Sequence, residues 1–125
     1  MKVLIADSNS AIRYGLTVLI EEQEDIEIIG EAVDFNELIQ RILERCPDLI
    51  LLSWELLGLG GKNLMQTVRL ICPDVHVVVM SSQTKAADLA LSAGADNFIS
   101  KAEPPERLLA VIRGYIGLQR GWQKL

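Results

Sequence analysis

Hydrophobic positions along this chain follow two alternating patterns. Short runs rich in Val, Ile and Leu recur at regular intervals, at residues 3–6, 27–33, 49–53, 75–80 and 97–100. Most of these runs are continuous rather than alternating, which is how strands covered on both faces read. Between them the apolar residues take helical spacing. Ile12, Leu16, Leu19 and Ile20 form one stripe, and Leu38, Ile39, Ile42 and Leu43 a second. Leu64, Val68 and Ile71 mark a third helix, and Leu89 and Ala93 a fourth. Asp34 and Glu37 have the spacing of a capping box before the second helix. Gly94 stands where a helix C-cap needs a glycine, and Pro104 and Pro105 fit the first turn of a fifth helix.

Five strand–helix units in this order predict an α/β fold, (βα)5, with right-handed crossovers and a doubly wound parallel five-stranded sheet. Residues 1–125 form one domain, with residues 104–125 as its carboxyl-terminal helix and no linker or low-complexity stretch. In such sheets ligands bind beyond the carboxyl ends of the strands, at the point where the strand order reverses. The pattern therefore nominates Asp7 and Ser8, Ser53 to Glu55, Ser81 and Ser82, and Lys101 as the candidate site.

The last helix carries two apolar stripes. Leu108, Ile112 and Ile116 are expected to face the sheet. Val111, Tyr115, Leu118, Trp122 and Leu125 step alternately by four and three, the spacing of a coiled-coil seam, and predict a homodimer contact. Gly114, Gly117 and Gly121 weaken the helix there but also allow close approach. A first segment with a charge at Lys2 and Asp7 is not a secretory signal, and no apolar run reaches the ~20 residues of a membrane span. The expected location is the cytoplasm, away from membranes.

A net charge of −5 argues against direct nucleic-acid binding by this domain. Eight acids and no base lie between Tyr14 and Gln40, while Arg107, Arg113, Arg120 and Lys124 follow without an acid. A solvated acidic rim with a dipole-matched helix end accounts for this, and a docking surface is the alternative. Cys46 and Cys72 each open a Cys-Pro-Asp tripeptide between a helix and the next strand. They match no metal spacing, and we read them as small hydrophobes at helix ends rather than a redox pair. Trp54 reads as a partly exposed loop aromatic, with a partner contact as the alternative. Gly58–Gly61–Lys62 lacks the spacing of a phosphate-binding loop, and no dinucleotide fingerprint follows the first strand.

The order Leu4-Ile5-Ala6-Asp7-Ser8, Asp48-Leu49-Ile50-Leu51-Leu52-Ser53, Val79-Met80-Ser81-Ser82 and Gly94-Ala95-Asp96-Asn97-Phe98-Ile99-Ser100-Lys101 resembles response-regulator receiver domains over its whole length. The Lys-x-x-Pro-Pro-Glu-x-Leu continuation is similar to receivers of LuxR/NarL-type regulators. The resemblance implies the flavodoxin-like receiver fold of two-component signalling. It places the family's phospho-acceptor aspartate at Ser53, its second acid at Ser8, and its switch positions at Ser81 and Phe98. In the family, a carboxylate at 53 attacks phosphorus while Mg²⁺, held by three acids, neutralises the developing charge. Two of those three acids are absent here. Asp7 and Lys101 cancel, so little draws a hard dication into the pocket, and no cofactor is expected, with Mg²⁺ binding weak or absent. Asp7 and Lys101 are expected to pair with each other. The only histidine, His76, lies at the far end of the sheet, so no base is expected to activate Ser53.

The resulting expectation is an atypical receiver. It would be a phosphorylation-independent interaction module, not an enzyme, whose partner is another protein or its own output domain in signalling or transcription regulation. A small enzyme using the same crevice is the alternative. A phosphorylatable receiver with Ser53 substituted for its acceptor is a third possibility, but one such change would leave Ser8 unexplained.

Overall fold

A computed structural model describes residues 1–121. Strands β1 (Lys2–Ala6), β2 (Glu27–Ala32), β3 (Leu49–Ser53), β4 (His76–Ser81) and β5 (Asn97–Ser100) form one parallel sheet in the order β2-β1-β3-β4-β5. Helices α1 (Ser10–Glu21), α2 (Phe35–Glu44), α4 (Gly61–Ile71), α5 (Ala86–Ser92) and α6 (Pro105–Gly121) alternate with the strands. A single helical turn, α3 (Trp54–Leu57), and a 3₁₀ turn (Gly58–Gly60) join β3 to α4. This is the predicted doubly wound architecture, with Trp54 opening a helical turn rather than sitting in a loop.

Strand residues alternate between two cores, because successive side chains point to opposite faces. Leu4, Ile50, Leu52, Val77 and Val79 pack with Leu38 and Ile42 of α2, Met65 and Val68 of α4, and Ala90 of α5. Val3, Ile5, Leu49, Leu51, Val78 and Ile99 pack with Ile20 of α1 and Leu108, Ile112 and Ile116 of α6. Both faces of β3 and the interior of β4 are thus dry, which is why these strands are continuous apolar runs. The Asp34 carboxylate caps α2 by accepting the Glu37 N–H at 2.8 Å. Gly94, with φ of +109°, ends α5 in a conformation that a side chain would strain.

Three expectations need correction. In α5 the buried face is Ala86 and Ala90, while Leu89 is exposed. The apolar stripe is set one residue off because the small alanines lie close against the sheet. In α6 the proposed dimer seam is not a separate stripe. Val111 is buried with Leu108, Ile112 and Ile116, and Tyr115 packs against the same cluster and stacks on His76 with ring centroids 4.4 Å apart. Positions 108, 111, 112, 115 and 116 follow i, i+3, i+4, i+7, i+8 spacing, one broad face of a single helix. Leu118 alone of the described seam residues is exposed, and Trp122 and Leu125 lie outside the described residues.

The cysteines are the third correction. Cys46 and Cys72 are joined by a disulfide. Each Cys-Pro-Asp segment stops a helix at the amino-terminal end of a neighbouring strand, so β3 and β4 bring the two together. Their Cα atoms are 5.7 Å apart, within the span a disulfide bridges.

Candidate functional site

The carboxyl ends of β1, β3, β4 and β5 gather the polar side chains of Asp7, Ser53, Glu55, Ser81, Ser82 and Lys101. Asp7 leaves β1 after its backbone N–H donates to the Ala32 carbonyl at 3.0 Å. One of its carboxylate oxygens accepts the Asn9 N–H at 2.9 Å, and the Arg13 guanidinium donates to its backbone carbonyl at 2.7 Å. Ser53 ends β3, paired in register with Met80 of β4. Ser81 ends β4, paired with Ser100 of β5. The backbone N–H of Lys101 then donates to the Ser81 carbonyl at 2.9 Å, which fixes the start of the lysine side chain over the pocket.

Lys101 is the centre of the network. Its Nζ lies 3.0 Å from Asp7 Oδ2, the pairing expected from the sequence. The same ammonium donates to Ser53 Oγ at 3.0 Å and lies 3.7 Å from Glu55 Oε2. Asp7, Ser53 and Ser81 are buried. Ser8 is exposed beside Asp7, and the contacts run through the other residues.

Glu55 holds the position that sequence reasoning left without a role. The chain turns at Ser53, and α3 carries Glu55 back over the strand ends. Its Oε2 accepts from Ser53 Oγ at 3.1 Å. Its Oε1 accepts from Ser81 Oγ at 2.6 Å, and from the backbone N–H and hydroxyl of Ser82 at 3.3 and 3.4 Å. Burial pushes the Glu55 carboxyl up, but the hydrogen bonds from Ser81 and Ser53 and the charge of Lys101 outweigh it. The net result holds the group below its ordinary 4.5. The sequence places Glu55 in the pocket, and the structure adds that its carboxylate bonds directly to the Ser53 hydroxyl.

This geometry also tests the donor set against the Mg²⁺ of the family. Mg²⁺ requires several oxygen ligands in near-octahedral order. Asp7 and Glu55 are the pocket's two carboxylates, and an ammonium already sits between them. Among the described residues no group of three His, Cys, Asp or Glu side chains could hold a metal. The residues do not fit the ion. Phe98, the family's switch aromatic, is half-buried and packs into the core cluster shared with α2, α4 and α5.

Three comparisons bear on the family. The family model for the response regulator receiver domain matches residues 3–113. The chain is 30% identical over 117 residues to the oxygen regulatory protein NreC of Staphylococcus epidermidis, covering 90% of this chain and 53% of that protein. It is 32% identical over 111 residues to the uncharacterized transcriptional regulatory protein YhcZ of Bacillus subtilis, covering 87% and 52%. The chain spans about half the length of these curated relatives. The response regulator domain of Thermotoga maritima CheB superimposes with a TM-score of 0.79 at 26% identity, covering 94% of this chain and 96% of that one. A sheet of order 2-1-3-4-5, a crevice at its carboxyl ends with aspartate, serine and lysine in the expected places, and a family match over most of the length agree: the chain belongs to the response-regulator receiver domains.

Proposed function

We propose that this receiver acts in signalling without a phosphoryl switch, as a protein-interaction module whose output depends on partner binding. The observation that carries this reading is Ser53. A hydroxyl stands where the family carries its phosphoryl-accepting carboxylate, and it is already engaged, accepting from Lys101 and donating to Glu55. An acyl phosphate cannot form on it. Weak or absent Mg²⁺ binding belongs to the same reading.

The names of the relatives support an assignment to transcription regulation as part of a longer regulator, with its own output domain as the first partner to test. A cytoplasmic location goes with that proposal. Among the described residues no helix is long and apolar enough to cross a membrane. Homodimerisation through α6 loses part of its argument, because Val111 is buried and Tyr115 half-buried within their own domain.

One observation favours a second reading, a hydrolase with Ser53 as nucleophile and Glu55 as base at 3.1 Å. The chemistry weighs against it. A general base works best with a pKa near the operating pH, and Glu55 is shifted the other way. The test is incubation with acetyl phosphate or beryllofluoride in the presence of Mg²⁺, followed by intact mass spectrometry, with p-nitrophenyl phosphate turnover measured in parallel. The expected outcome is no added phosphoryl mass, no beryllofluoride adduct and no turnover. A phosphoryl group mapped to this pocket would overturn the reading, and steady turnover would favour the enzyme.

A further inference from the structure

Glu55 does more than fill space beside Ser53. Its Oε1 collects three donors from the end of β4 and the loop after it: the Ser81 hydroxyl at 2.6 Å, the Ser82 backbone N–H at 3.3 Å and the Ser82 hydroxyl at 3.4 Å. Its Oε2 faces the Lys101 ammonium at 3.7 Å and accepts the Ser53 hydroxyl at 3.1 Å. A backbone N–H and hydroxyls on one oxygen, with a hydroxyl and an ammonium on the other, surround the carboxylate as an oxyanion socket would, since charge-assisted bonds of this kind are what hold phosphate and sulfate. The family resemblance places Ser81 and Lys101 where a phosphoryl group would be met.

We infer that Glu55 is a built-in occupant of this oxyanion socket, holding the Ser81, Ser82 and Lys101 contacts that a phosphoryl group would otherwise make. The inference rests on the reading of the pocket as one without a phospho-acceptor, and it supplies the reason a serine suits position 53. A carboxylate there could only accept, and would repel Glu55. Serine donates to Glu55 while it accepts from Lys101. The socket, the occupant and Ser53 form one self-consistent set.

A tethered occupant competes with any free anion at a high effective concentration. A free ligand sees only the fraction of molecules in which the socket is open, and its apparent affinity falls by that fraction. The Glu55 side chain is 40% exposed, so it lies at the mouth and can be removed without opening a hole in the core.

The experiment is a titration of the ¹⁵N-labelled chain with inorganic phosphate, and separately sulfate, following the Ser82 amide. In the wild type no saturating shift is expected. In Glu55→Ala a saturating shift at Ser82 is expected, with an apparent affinity at least tenfold higher, and adding Lys101→Ala should abolish it. Glu55→Gln keeps the acceptor shape but loses the charge, so it should fall between the two and serves as the test should Glu55→Ala not fold. Equal phosphate binding by the wild type and the variants would overturn the inference, as would a folded Glu55→Ala or Glu55→Gln protein with an unmoved Ser82 amide. Acetyl phosphate on the wild type separates the two layers. Incorporation defeats the acceptor-free reading, whereas no incorporation with a silent Glu55→Ala titration defeats the occupant alone.

Discussion

Exchanging a carboxylate for a hydroxyl at position 53 changes the direction of a hydrogen bond, and the pocket depends on that direction. Ser53→Asp would set a third acid against Asp7 and Glu55, with one lysine to share. We expect a loss of roughly 0.5–3 kcal/mol in urea denaturation without metal, the range of a typical disruptive substitution. Adding Ser8→Asp should deepen the loss, and Mg²⁺ should then restore stability by linkage to the new carboxylates. If the metal-free double variant matches the wild type, the pocket is not organised by this charge balance. Glu55 gives a pH signature. Its carboxyl is held below 4.5 in the folded protein, so the stability it contributes is present above the unfolded value and is lost as pH falls through the folded one. The wild type should therefore weaken more steeply than Glu55→Gln below about pH 4.5, and the gap between them should be flat above about pH 6. Parallel acid-unfolding curves would refute this. Asp7, Ser53, Ser81 and Lys101 were legible in the sequence because each directly ends or follows a strand. Glu55 was legible as a neighbour only. Its role depends on the α3 turn, and a four-residue turn leaves no periodic signal.

Element boundaries were read well where a chemical stop marks them: Asp34 before α2, Gly94 after α5, Pro105 at the start of α6. Faces were read less well where small residues do the packing. Ala86 and Ala90 of α5 are too small to stand out as an apolar stripe, whereas Leu89 is large and yet exposed. In α6 two stripes were separated that the helix geometry merges into one face. Ile112 is fully buried at its centre, and Leu118 is 62% exposed beyond its edge. Ile112→Ala should cost about 2–5 kcal/mol, the range for deleting a large aliphatic from a core. Leu118→Ala should stay within about 0.5 kcal/mol, as surface changes do. The same two proteins examined by sedimentation test the seam. A dimer that Leu118→Ala dissociates would show that α6 has a second, intermolecular face after all. The junction of α3 and α4 is a tighter element. A Cβ at Gly61 would lie 2.5 Å from the Trp54 ring, so the half-buried Trp54 packs one face against the helix start.

The whole molecule has two poles, and the sequence described them unequally. The carboxyl pole carries the pocket, which parallel topology predicts because every crossover returns the chain to the same end. The uneven charge resolves in part within the fold, since Arg113 of α6 pairs with Asp25 at 2.9 Å and Arg13 with Glu31 at 3.3 Å. The amino pole holds the Cys46–Cys72 disulfide, which could not be read from spacing because two cysteines 26 residues apart meet only once β3 and β4 are neighbours. That bond ties the end of α2 to the end of α4, across the face opposite α1 and α6. Closing a loop of 26 residues removes conformational freedom from the unfolded chain worth about 3.5 kcal/mol. Reduction with a dithiol, or Cys46→Ser with Cys72→Ser, should therefore lower Tm by roughly 10 °C or more for a domain of this size. Disulfides are rare where cells keep thiols reduced, so the same measurement bears on the compartment. Protein purified without reductant should show no thiol to Ellman's reagent until unfolded and reduced. Two freely titrating thiols in the native protein, or a Tm indifferent to reduction, would remove the bond from any account of stability. Because the bond lies at the opposite end of the strands, its loss should leave the Ser82 amide and its surroundings in place. A pocket that rearranges on reduction would instead mean that the two poles are coupled through β3 and β4.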